Sequence, residues 1–195
     1  MRIFGVILAG GAGRRMGGAD KALLSLAGQS LIARVVERLE PQVEALAISA
    51  NGDPNRFAHL GLPVLPDTAS HGPLSGILAA LIWAAPRGAT AIVSAPVDCP
   101  FLPPDLVPRL CLAAEPSGTS LAASAGILHP TFGLWPVTLA PALAAFLASG
   151  AKARVRDFAN ANHAATATFP DDGAFANANT PEDLARLQSL IRGGP

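Results

Sequence analysis

The chain has 195 residues, about the length of one domain with a substantial buried core. Half of the residues are hydrophobic and only 14% are charged, a composition that excludes an intrinsically disordered protein. Fourteen lysines and arginines balance fourteen aspartates and glutamates, and this zero net charge argues against a general nucleic-acid-binding or membrane-binding surface, since both need a basic excess.

The sequence shows no clear secretory signal, membrane-spanning segment or disulfide pattern. The apolar start is followed, not preceded, by a pair of arginines, which is the wrong order for a secretory signal. No run approaches the roughly 20 apolar residues of a membrane helix, and the longest candidate, residues 137–148, is interrupted by Pro141. Cys99 and Cys111 lack partners at zinc spacing and are too few to stabilise a secreted fold. We therefore expect a soluble cytoplasmic protein.

The first predicted element is an apolar strand over residues 3–8, followed by a glycine-rich loop that also carries cations. Residues 8–21 read LAGGAGRRMGGADK. Glycine accepts positive φ and lets backbone N–H groups approach a ligand, so the loop is rich in donors, and Arg15 and Lys21 add positive charge. Because open α/β sheets bind ligands at the carboxyl ends of their strands, the pattern predicts a polyphosphate site here.

Two common phosphate-binding loops do not fit this stretch. The Walker pattern needs Lys-Ser or Lys-Thr after its last glycine, whereas Ala19 and Asp20 follow Gly18. The dinucleotide fingerprint needs glycine at its first, third and sixth positions, and when it is started at Gly11 and Gly13 the sixth position is Met16. The loop therefore belongs to neither class.

The next elements predict an α/β fold. Ser30 is a suitable N-cap for a helix over residues 31–39, whose apolar side chains recur at helical spacing. Residues 45–50 form a short apolar strand that ends at the turn signal Asn51-Gly52. A strand, a helix and a strand within about fifty residues indicate a βαβ unit.

A third strand over residues 63–66 ends at Asp67. The loop HGPLSG at residues 71–76 has a proline and glycines suited to the entry of a helix, which is predicted over residues 77–85. Residues 89–95 are apolar throughout and predict a central strand.

Asp98 lies just beyond this central strand, between Pro96 and Pro100. From such a stiffened position one carboxylate can hold Mg²⁺ while phosphate oxygens and water complete the coordination shell. The sequence therefore predicts Asp98 as the ligand of a magnesium ion.

The following segment predicts a helix over residues 104–114, with Pro104 in its first turn and Leu112 among its packing side chains. Strands over residues 120–125 and 127–134 meet near Gly126 in a hairpin, and a further helix covers residues 137–148. The cations that follow, Lys152, Arg154 and Arg156, fit either a solvated face or an attraction for the phosphate of an acceptor.

The last segment, FANANTPEDL at residues 175–184, contains two asparagines in an extended stretch. Alternation places Asn177 and Asn179 on one side, either facing an active cleft or bonding the chain before a final helix. Thr180 begins that helix, with Leu184, Leu187 and Leu190 as its packing stripe.

Taken together, these motifs resemble the molybdenum cofactor guanylyltransferases, nucleotidyltransferases that activate a small molecule with an NTP. The resemblance covers essentially the whole chain and is carried by LAGG followed by RRMGG, an acid and a lysine, by Asp67 with GPLSG, by the Asp98 loop, by His129-Pro130-Thr131 and by NANTPE at residues 177–182. The Gly10-Gly11 pair favours GTP, because relatives that use CTP usually carry alanine at one of these positions.

The resemblance implies a Rossmann-like three-layer α/β nucleotidyltransferase fold, with a mostly parallel central sheet and a small antiparallel hairpin. We expect one domain over residues 1–195, whose nucleotide-binding part spans about residues 1–100 and whose acceptor-side part spans about residues 101–195. The implied reaction transfers GMP from GTP to the terminal phosphate of molybdenum-molybdopterin, with release of pyrophosphate and Mg²⁺ as cofactor.

The resemblance also implies residue roles. The nucleotide-binding residues are Leu8, Ala9, Gly10, Gly11, Lys21, Ser49, Asn51, Asp67, Gly72 and Asp98; the catalytic residues are Arg15, Lys21 and Asp98; and the acceptor-binding residues are His129, Asn177 and Asn179. Two positions depart from the family: Ser49 stands in place of a first asparagine, and Ile127-Leu128 replaces a basic or polar lead-in to His129. Asn51 and Asp67 also fit ordinary turn roles, and His129 an ordinary strand-edge role.

Three alternatives remain open: a CTP-dependent molybdopterin cytidylyltransferase, a sugar-phosphate nucleotidyltransferase, and a non-catalytic nucleotide-binding regulatory module. The lack of a Ser/His/Asp or Cys/His set fits transfer to a phosphate, which is already anionic and needs orientation more than a general base. The implied partners are GTP, molybdenum-molybdopterin, and molybdenum-insertion proteins and recipient molybdoenzymes or their chaperones. No nucleic-acid or membrane partner is expected.

Overall fold

The computed structural model describes residues 1–10, 20–66, 72–150, 152–170 and 173–192. Within these residues the strands are β1 (Ile3–Leu8), β2 (Ser25–Leu26), β3 (Gln29–Ser30), β4 (Ala45–Ser49), β5 (Val64–Leu65), β6 (Ala91–Pro96), β7 (Ser120–Ser124), β8 (Ile127–Pro136) and β9 (Ala165–Phe169). Seven of them form one mixed sheet in the order β5-β4-β1-β6-β8-β7-β9, and β2 with β3 forms a separate antiparallel ribbon.

The centre of the sheet is parallel and its far side contains the hairpin. β1 pairs in parallel with both β4 and β6, and β5 extends the parallel part beyond β4. β8 runs antiparallel to β6 and β7, and β9 pairs in parallel with β7. The predicted α/β class, with a mostly parallel sheet and a small antiparallel element, is confirmed.

Helices cover both faces of the sheet. In the described residues they are α1 (Leu31–Leu39), α2 (Pro73–Ala84), α3 (Leu106–Ala114), α4 (Ala140–Ala148), α5 (Val155–Ala161) and α6 (Pro181–Arg192). Along β1, Ile3 and Ile7 pack with α1 and α3 on one face, whereas Phe4 and Val6 pack with α2, α4 and α5 on the other. This is the period-two alternation of a strand buried on both sides.

Local sequence explains several element ends. The Ser30 hydroxyl accepts a hydrogen bond of 3.3 Å from the Ala33 N–H, so Ser30 caps α1 as predicted. The hairpin turns through Ala125 and Gly126, both with positive φ (47° and 77°), the conformation that a two-residue turn between twisted strands requires.

Several predicted elements need correction. α2 begins at Pro73, four residues before the predicted start, because Gly72 ends the loop and Pro73 occupies the first turn. α3 begins only at Leu106, after Pro104, and α4 begins at Ala140 after a short 3-10 turn, with Pro141 in its first turn. In the described residues, no helix is long and apolar enough to cross a lipid bilayer.

Two elements and two exposed leucines differ more strongly from the predictions. α5 and β9 were not predicted, because the strand sequence ATATF alternates small residues and threonines and lacks a strong apolar run. Leu112 and Leu190 were predicted to pack, yet both are exposed. Periodicity groups residues on a helix face, but the neighbouring elements decide which face is buried.

Candidate active site

Several of the predicted site residues meet at the carboxyl ends of β1 and β6. Leu8 and Pro96 are register partners in these parallel strands, so the segments that follow each strand lie at the same edge of the sheet. A cavity of about 240 Å³ opens there, lined by Leu8, Ala9, Gly10, Lys21, Pro73, Pro96, Val97, Asp98, Thr131 and Asn177. A larger cavity of about 590 Å³ lies at the ends of α1, α3 and α6, and its described lining includes none of the predicted site residues. We therefore place the candidate active site in the smaller cavity, whose lining contains several of the predicted site residues.

Lys21 lies at the centre of the polar contacts. Its ammonium Nζ is 2.7 Å from Asp98 Oδ2 and also donates a hydrogen bond to Asn179 Oδ1. The side chains of Lys21 and Asp98 are 18% and 22% exposed, so the ion pair is largely but not fully removed from water. Residues from three distant parts of the sequence thus form one cluster.

Asp20 determines where Lys21 stands. Its Oδ1 accepts a hydrogen bond of 3.1 Å from the Ala22 N–H and so caps the 3-10 turn Lys21–Leu23, while its Oδ2 lies 2.8 Å from Arg56 Nε. Arg56 in turn lies over the Phe57 ring, with 4.6 Å between the guanidinium carbon and the ring centroid. The turn that carries Lys21 is therefore anchored to the segment after β4. An acid immediately before a short turn was the available sequence signal for this role.

Ser49 and Gly76 bring α2 against the strand ends. Ser49 is buried at the end of β4, and its backbone carbonyl accepts a hydrogen bond of 2.8 Å from the Ala9 N–H. A Cβ added at Gly76 would lie only 2.5 Å from Ser49 Oγ and 2.9 Å from Leu8 Cδ2. Gly76 is thus required by close packing, which accounts for the last glycine of the GPLSG motif.

Gly72 and Asn51 lie at the same edge of the sheet. Gly72 precedes α2 with a positive φ of 67°, a conformation that favours glycine. The side chain of Asn51, two residues after β4, is exposed. Gly11, Arg15 and Asp67, which were predicted to bind nucleotide or assist catalysis, lie outside the described residues.

The segment with the two asparagines is bonded to the Asp98 loop. The Ala178 N–H donates a hydrogen bond of 2.8 Å to the Asp98 carbonyl, and the thiol of Cys99 donates to Asn177 Oδ1 at 2.9 Å. Burial raises the pKa of the Cys99 thiol well above its ordinary value, and the Asp98 carboxylate raises it further, so the thiol is protonated at neutral pH. Asn177 lines the cavity together with Lys21 and Asp98, and Asn179 accepts a hydrogen bond from Lys21.

His129 is placed differently from Asn177. It is not among the described residues that line the cavity; its Nε2 lies 2.7 Å from Ser124 Oγ, and its ring stacks on Phe175 with 4.3 Å between centroids. Burial lowers its pKa, which favours the neutral imidazole. In the structure His129 therefore supports the chain that leads to Asn177.

Thr131, two residues further along the same motif, does line the cavity. Leu121 pairs with Gly133, but the next residue of β7, Ala122, pairs with His129. Residues 130–132 of β8 therefore have no partner in β7 and form a bulge. The buried Ser94 hydroxyl holds this bulge by donating to the Thr131 carbonyl at 2.9 Å. Thr131 was not among the predicted site residues, although a proline before it, unable to donate to a strand ladder, signals an irregular strand.

The residues present fit a magnesium ion that is bound together with phosphate. Asp98 contributes a carboxylate at the cavity, whereas the amide oxygens of Asn177 and Asn179 are engaged by the Cys99 thiol and the Lys21 ammonium. Nowhere in the described ranges do three or more His, Cys, Asp or Glu side chains cluster as a metal cage. One carboxylate completed by phosphate and water is a usual arrangement for Mg²⁺.

Comparison with known proteins identifies the family. The sequence family described as the MobA-like NTP transferase domain matches residues 5–166 of this chain. A molybdenum cofactor guanylyltransferase of Cereibacter sphaeroides is 62% identical over 98% of this chain and 98% of its own length. The chain belongs to the molybdenum cofactor guanylyltransferase family. A guanylyltransferase of Rhodobacter capsulatus, 52% identical with 98% of both chains covered, agrees, and the resemblance inferred from the motifs is confirmed.

Solved structures show the same fold. Molybdopterin-guanine dinucleotide biosynthesis protein A from Archaeoglobus fulgidus superposes with a TM-score of 0.74 at 22% identity, covering 98% of this chain and 100% of that chain. The 4-diphosphocytidyl-2C-methyl-D-erythritol synthase from Anaerococcus prevotii has a TM-score of 0.79 at 10% identity, covering 98% of this chain and 96% of that chain. At these identities the superpositions establish the fold alone, while membership in the guanylyltransferase family makes this protein a nucleotidyltransferase.

Proposed function

We propose that the protein transfers GMP from GTP to the terminal phosphate of molybdenum-molybdopterin, giving the guanine dinucleotide form of the cofactor and pyrophosphate. The observation that carries this proposal is the Lys21 ammonium held between the Asp98 carboxylate and the Asn179 amide at the carboxyl ends of β1 and β6. Family membership at 62% identity over nearly the whole chain supports the nature of the substrates.

The reaction forms one phosphorus–oxygen bond and breaks another. An oxygen of the acceptor phosphate attacks the α-phosphorus of GTP, and the electron pair of the broken bond leaves with pyrophosphate. The acceptor is already an anion, so no residue has to remove a proton from it. The protein has to hold the reacting groups in line and stabilise the charge that develops on the leaving group.

Lys21 is suited to the second task. An ammonium has three N–H donors, and in the described part of the chain two of them meet Asp98 Oδ2 and Asn179 Oδ1. These contacts fix the position of the charge and leave one donor for a phosphate oxygen. We propose that Arg15, in the preceding loop, supplies a second positive charge that stabilises the leaving pyrophosphate.

We further propose that Asp98 holds Mg²⁺ when the nucleotide is bound. The bound ion would neutralise charge on the triphosphate oxygens. Asp98 is prepared for this by its neighbours, because Lys21 orients the carboxylate and the Ala178 N–H fixes its backbone carbonyl.

Guanine selection and compartment are also proposals. The Gly10-Gly11 pair supports GTP over CTP through the family pattern, and Gly10 lines the cavity. The two cysteines are both free, with Cys99 buried and Cys111 half-buried, which suits a reducing cytoplasm.

The test is a competition between nucleotides. Purified protein is incubated with molybdenum-molybdopterin, Mg²⁺ and equal GTP and CTP, and the products are identified by mass. We expect the guanine dinucleotide to predominate and its formation to stop when EDTA removes the metal. Predominance of the cytosine product would contradict GTP selectivity, and no dinucleotide at all would contradict the transferase function. In a parallel incubation a sugar phosphate replaces the pterin, and its conversion to a nucleotide product would contradict the proposed acceptor.

A further inference from the structure

The chain from Phe175 to Asn179 carries the asparagines expected to bind the acceptor, and Cys99 is its neighbour in the Asp98 loop. Cys99 is 2% exposed, and its thiol donates to Asn177 Oδ1 at 2.9 Å. Its other two polar neighbours are further away: the Phe175 carbonyl at 3.7 Å and Asp98 Oδ1 at 3.8 Å. Asn177 is therefore the principal hydrogen-bond partner of this thiol in the described structure.

The contact determines which end of the Asn177 amide is available to a ligand. A side-chain amide has an oxygen that accepts and an NH₂ group that donates. Because the thiol engages the oxygen and Asn177 lines the cavity, the NH₂ group is the polar end left for a bound molecule. Asn179 shows the same arrangement, since its oxygen accepts a hydrogen bond from Lys21. Both amides thus offer donors, which suit a ligand group that only accepts hydrogen bonds, such as a phosphate.

We infer that Cys99 is a positioning residue of the acceptor site, which fixes the Asn177 amide so that its NH₂ group donates to the anionic acceptor. The inference rests on the proposed function, because it takes the acceptor phosphate as the bound group. Cys99 acts through Asn177 and does not itself touch the reacting atoms.

Two further contacts hold the backbone around Asn177, so that loss of the Cys99 sulfur should affect only the side-chain amide. The Ala178 N–H is bonded to the Asp98 carbonyl, and the His129 ring stacks on Phe175, so the backbone on both sides of Asn177 is held independently of the thiol. Loss of the thiol should therefore release the rotation of the Asn177 amide without displacing the segment.

The kinetic test compares Cys99→Ala, Cys99→Ser and the control Cys111→Ala, which makes the same chemical change at the half-buried cysteine of α3. We expect Cys99→Ala to raise the KM for molybdenum-molybdopterin about five- to tenfold, because the hydrogen bond from Asn177 to the anionic acceptor is misaligned and not removed. The KM for GTP should change less than twofold. Cys99→Ser, which keeps a donor, should restore most of the acceptor affinity, and Cys111→Ala should behave like the wild type.

Three kinetic results would overturn the inference: an unchanged acceptor KM in Cys99→Ala, an equal rise in both KM values, or a Cys99→Ser variant as impaired as Cys99→Ala.

A second measurement does not depend on turnover. The side-chain NH₂ signals of Asn177 in a ¹⁵N-labelled sample, assigned by their loss in Asn177→Asp, should shift or broaden in Cys99→Ala and not in Cys111→Ala. Unchanged signals would refute the positioning role. If the wild type makes no dinucleotide while Cys99→Ala still shows these shifts, the result contradicts the proposed function and leaves the positioning role standing.

Discussion

The Lys21–Asp98 ion pair gives the sharpest prediction about catalysis. Asp98→Asn removes the negative charge and keeps the shape, while Lys21→Ala removes the cation. Exposed ion pairs contribute about 0–1 kcal/mol to stability, and breaking a buried pair costs about 3–5 kcal/mol. With side chains about one-fifth exposed and a 2.7 Å contact, this pair lies between the two cases, so each substitution should cost about 1–2 kcal/mol of folding stability.

The expected loss of activity is larger. Removing one preorganised charge or donor from a transition state typically lowers the rate by about 10²–10³, or about 2.7–4 kcal/mol. Natural domains have about 5–15 kcal/mol of stability, so both variants should remain folded while turnover falls. Because the two side chains touch, the double variant should lose less activity than the product of the single losses.

The assay is pyrophosphate release at saturating Mg²⁺, with kcat and KM for each substrate, alongside thermal unfolding of the same samples. The matched control is Glu44→Gln, an equally conservative change in the exposed pair of Arg2 and Glu44 just before β4, at the opposite end of the strands. The control should keep wild-type activity. Near-normal turnover of either Lys21→Ala or Asp98→Asn would refute the reasoning, as would losses that merely follow the unfolded fraction.

Three further predictions concern the supports of the site. Gly76→Ala gains about 1 kcal/mol of helix propensity but should lose more through its 2.5 Å approach to Ser49, so urea unfolding should show net destabilisation, smaller in a Ser49→Ala background; an unchanged or higher stability would contradict it. Thr180→Ala removes the hydroxyl that accepts from the Asp183 N–H and should cost about 1 kcal/mol by the same measurement, and full stability would contradict this. Burial lowers the pKa of His129, so folding stability is favoured above its ordinary pKa of about 6.5 and falls as the pH drops below it; His129→Gln should reduce this fall between pH 7 and 5, and equal slopes would contradict the burial effect.

The sequence was most informative about the parallel half of the sheet. β1 matches its predicted bounds and β4 and β6 end within one residue of theirs, because buried parallel strands are apolar runs that end at glycine, asparagine or proline. Asp98 could be placed at the ligand edge for the same reason, since the residue after a buried strand emerges there.

Contacts between distant segments could not be derived from these patterns. The Lys21–Asp98 pair depends on the turn that Asp20 and Arg56 anchor, and the Cys99–Asn177 contact depends on how the last segment crosses the sheet. Each of these residues stands in a recognisable motif, but the partner lies about 36 to 78 positions away, beyond the reach of local periodicity.

The antiparallel half shows a different limit. Thr131 lines the cavity and His129 does not within the described residues, because Thr131 lies in the β8 bulge at residues 130–132 and His129 precedes it. A one-residue change of register exchanges the faces on which side chains lie, so an unforeseen bulge alters which residue of a motif reaches a site. β9 was missed since its pairing with β7, more than its own composition, makes it a strand.

Label transfer from GTP tests the proposed reaction most directly. The protein is given molybdenum-molybdopterin and Mg²⁺ with GTP labelled by ³²P at either the α- or the γ-phosphate. We expect the α-label to appear in a guanine dinucleotide of the pterin and the γ-label to appear only in pyrophosphate. Transfer of the γ-label to the pterin, or an α-label that remains in GTP while pyrophosphate is not released, would contradict the transfer of GMP.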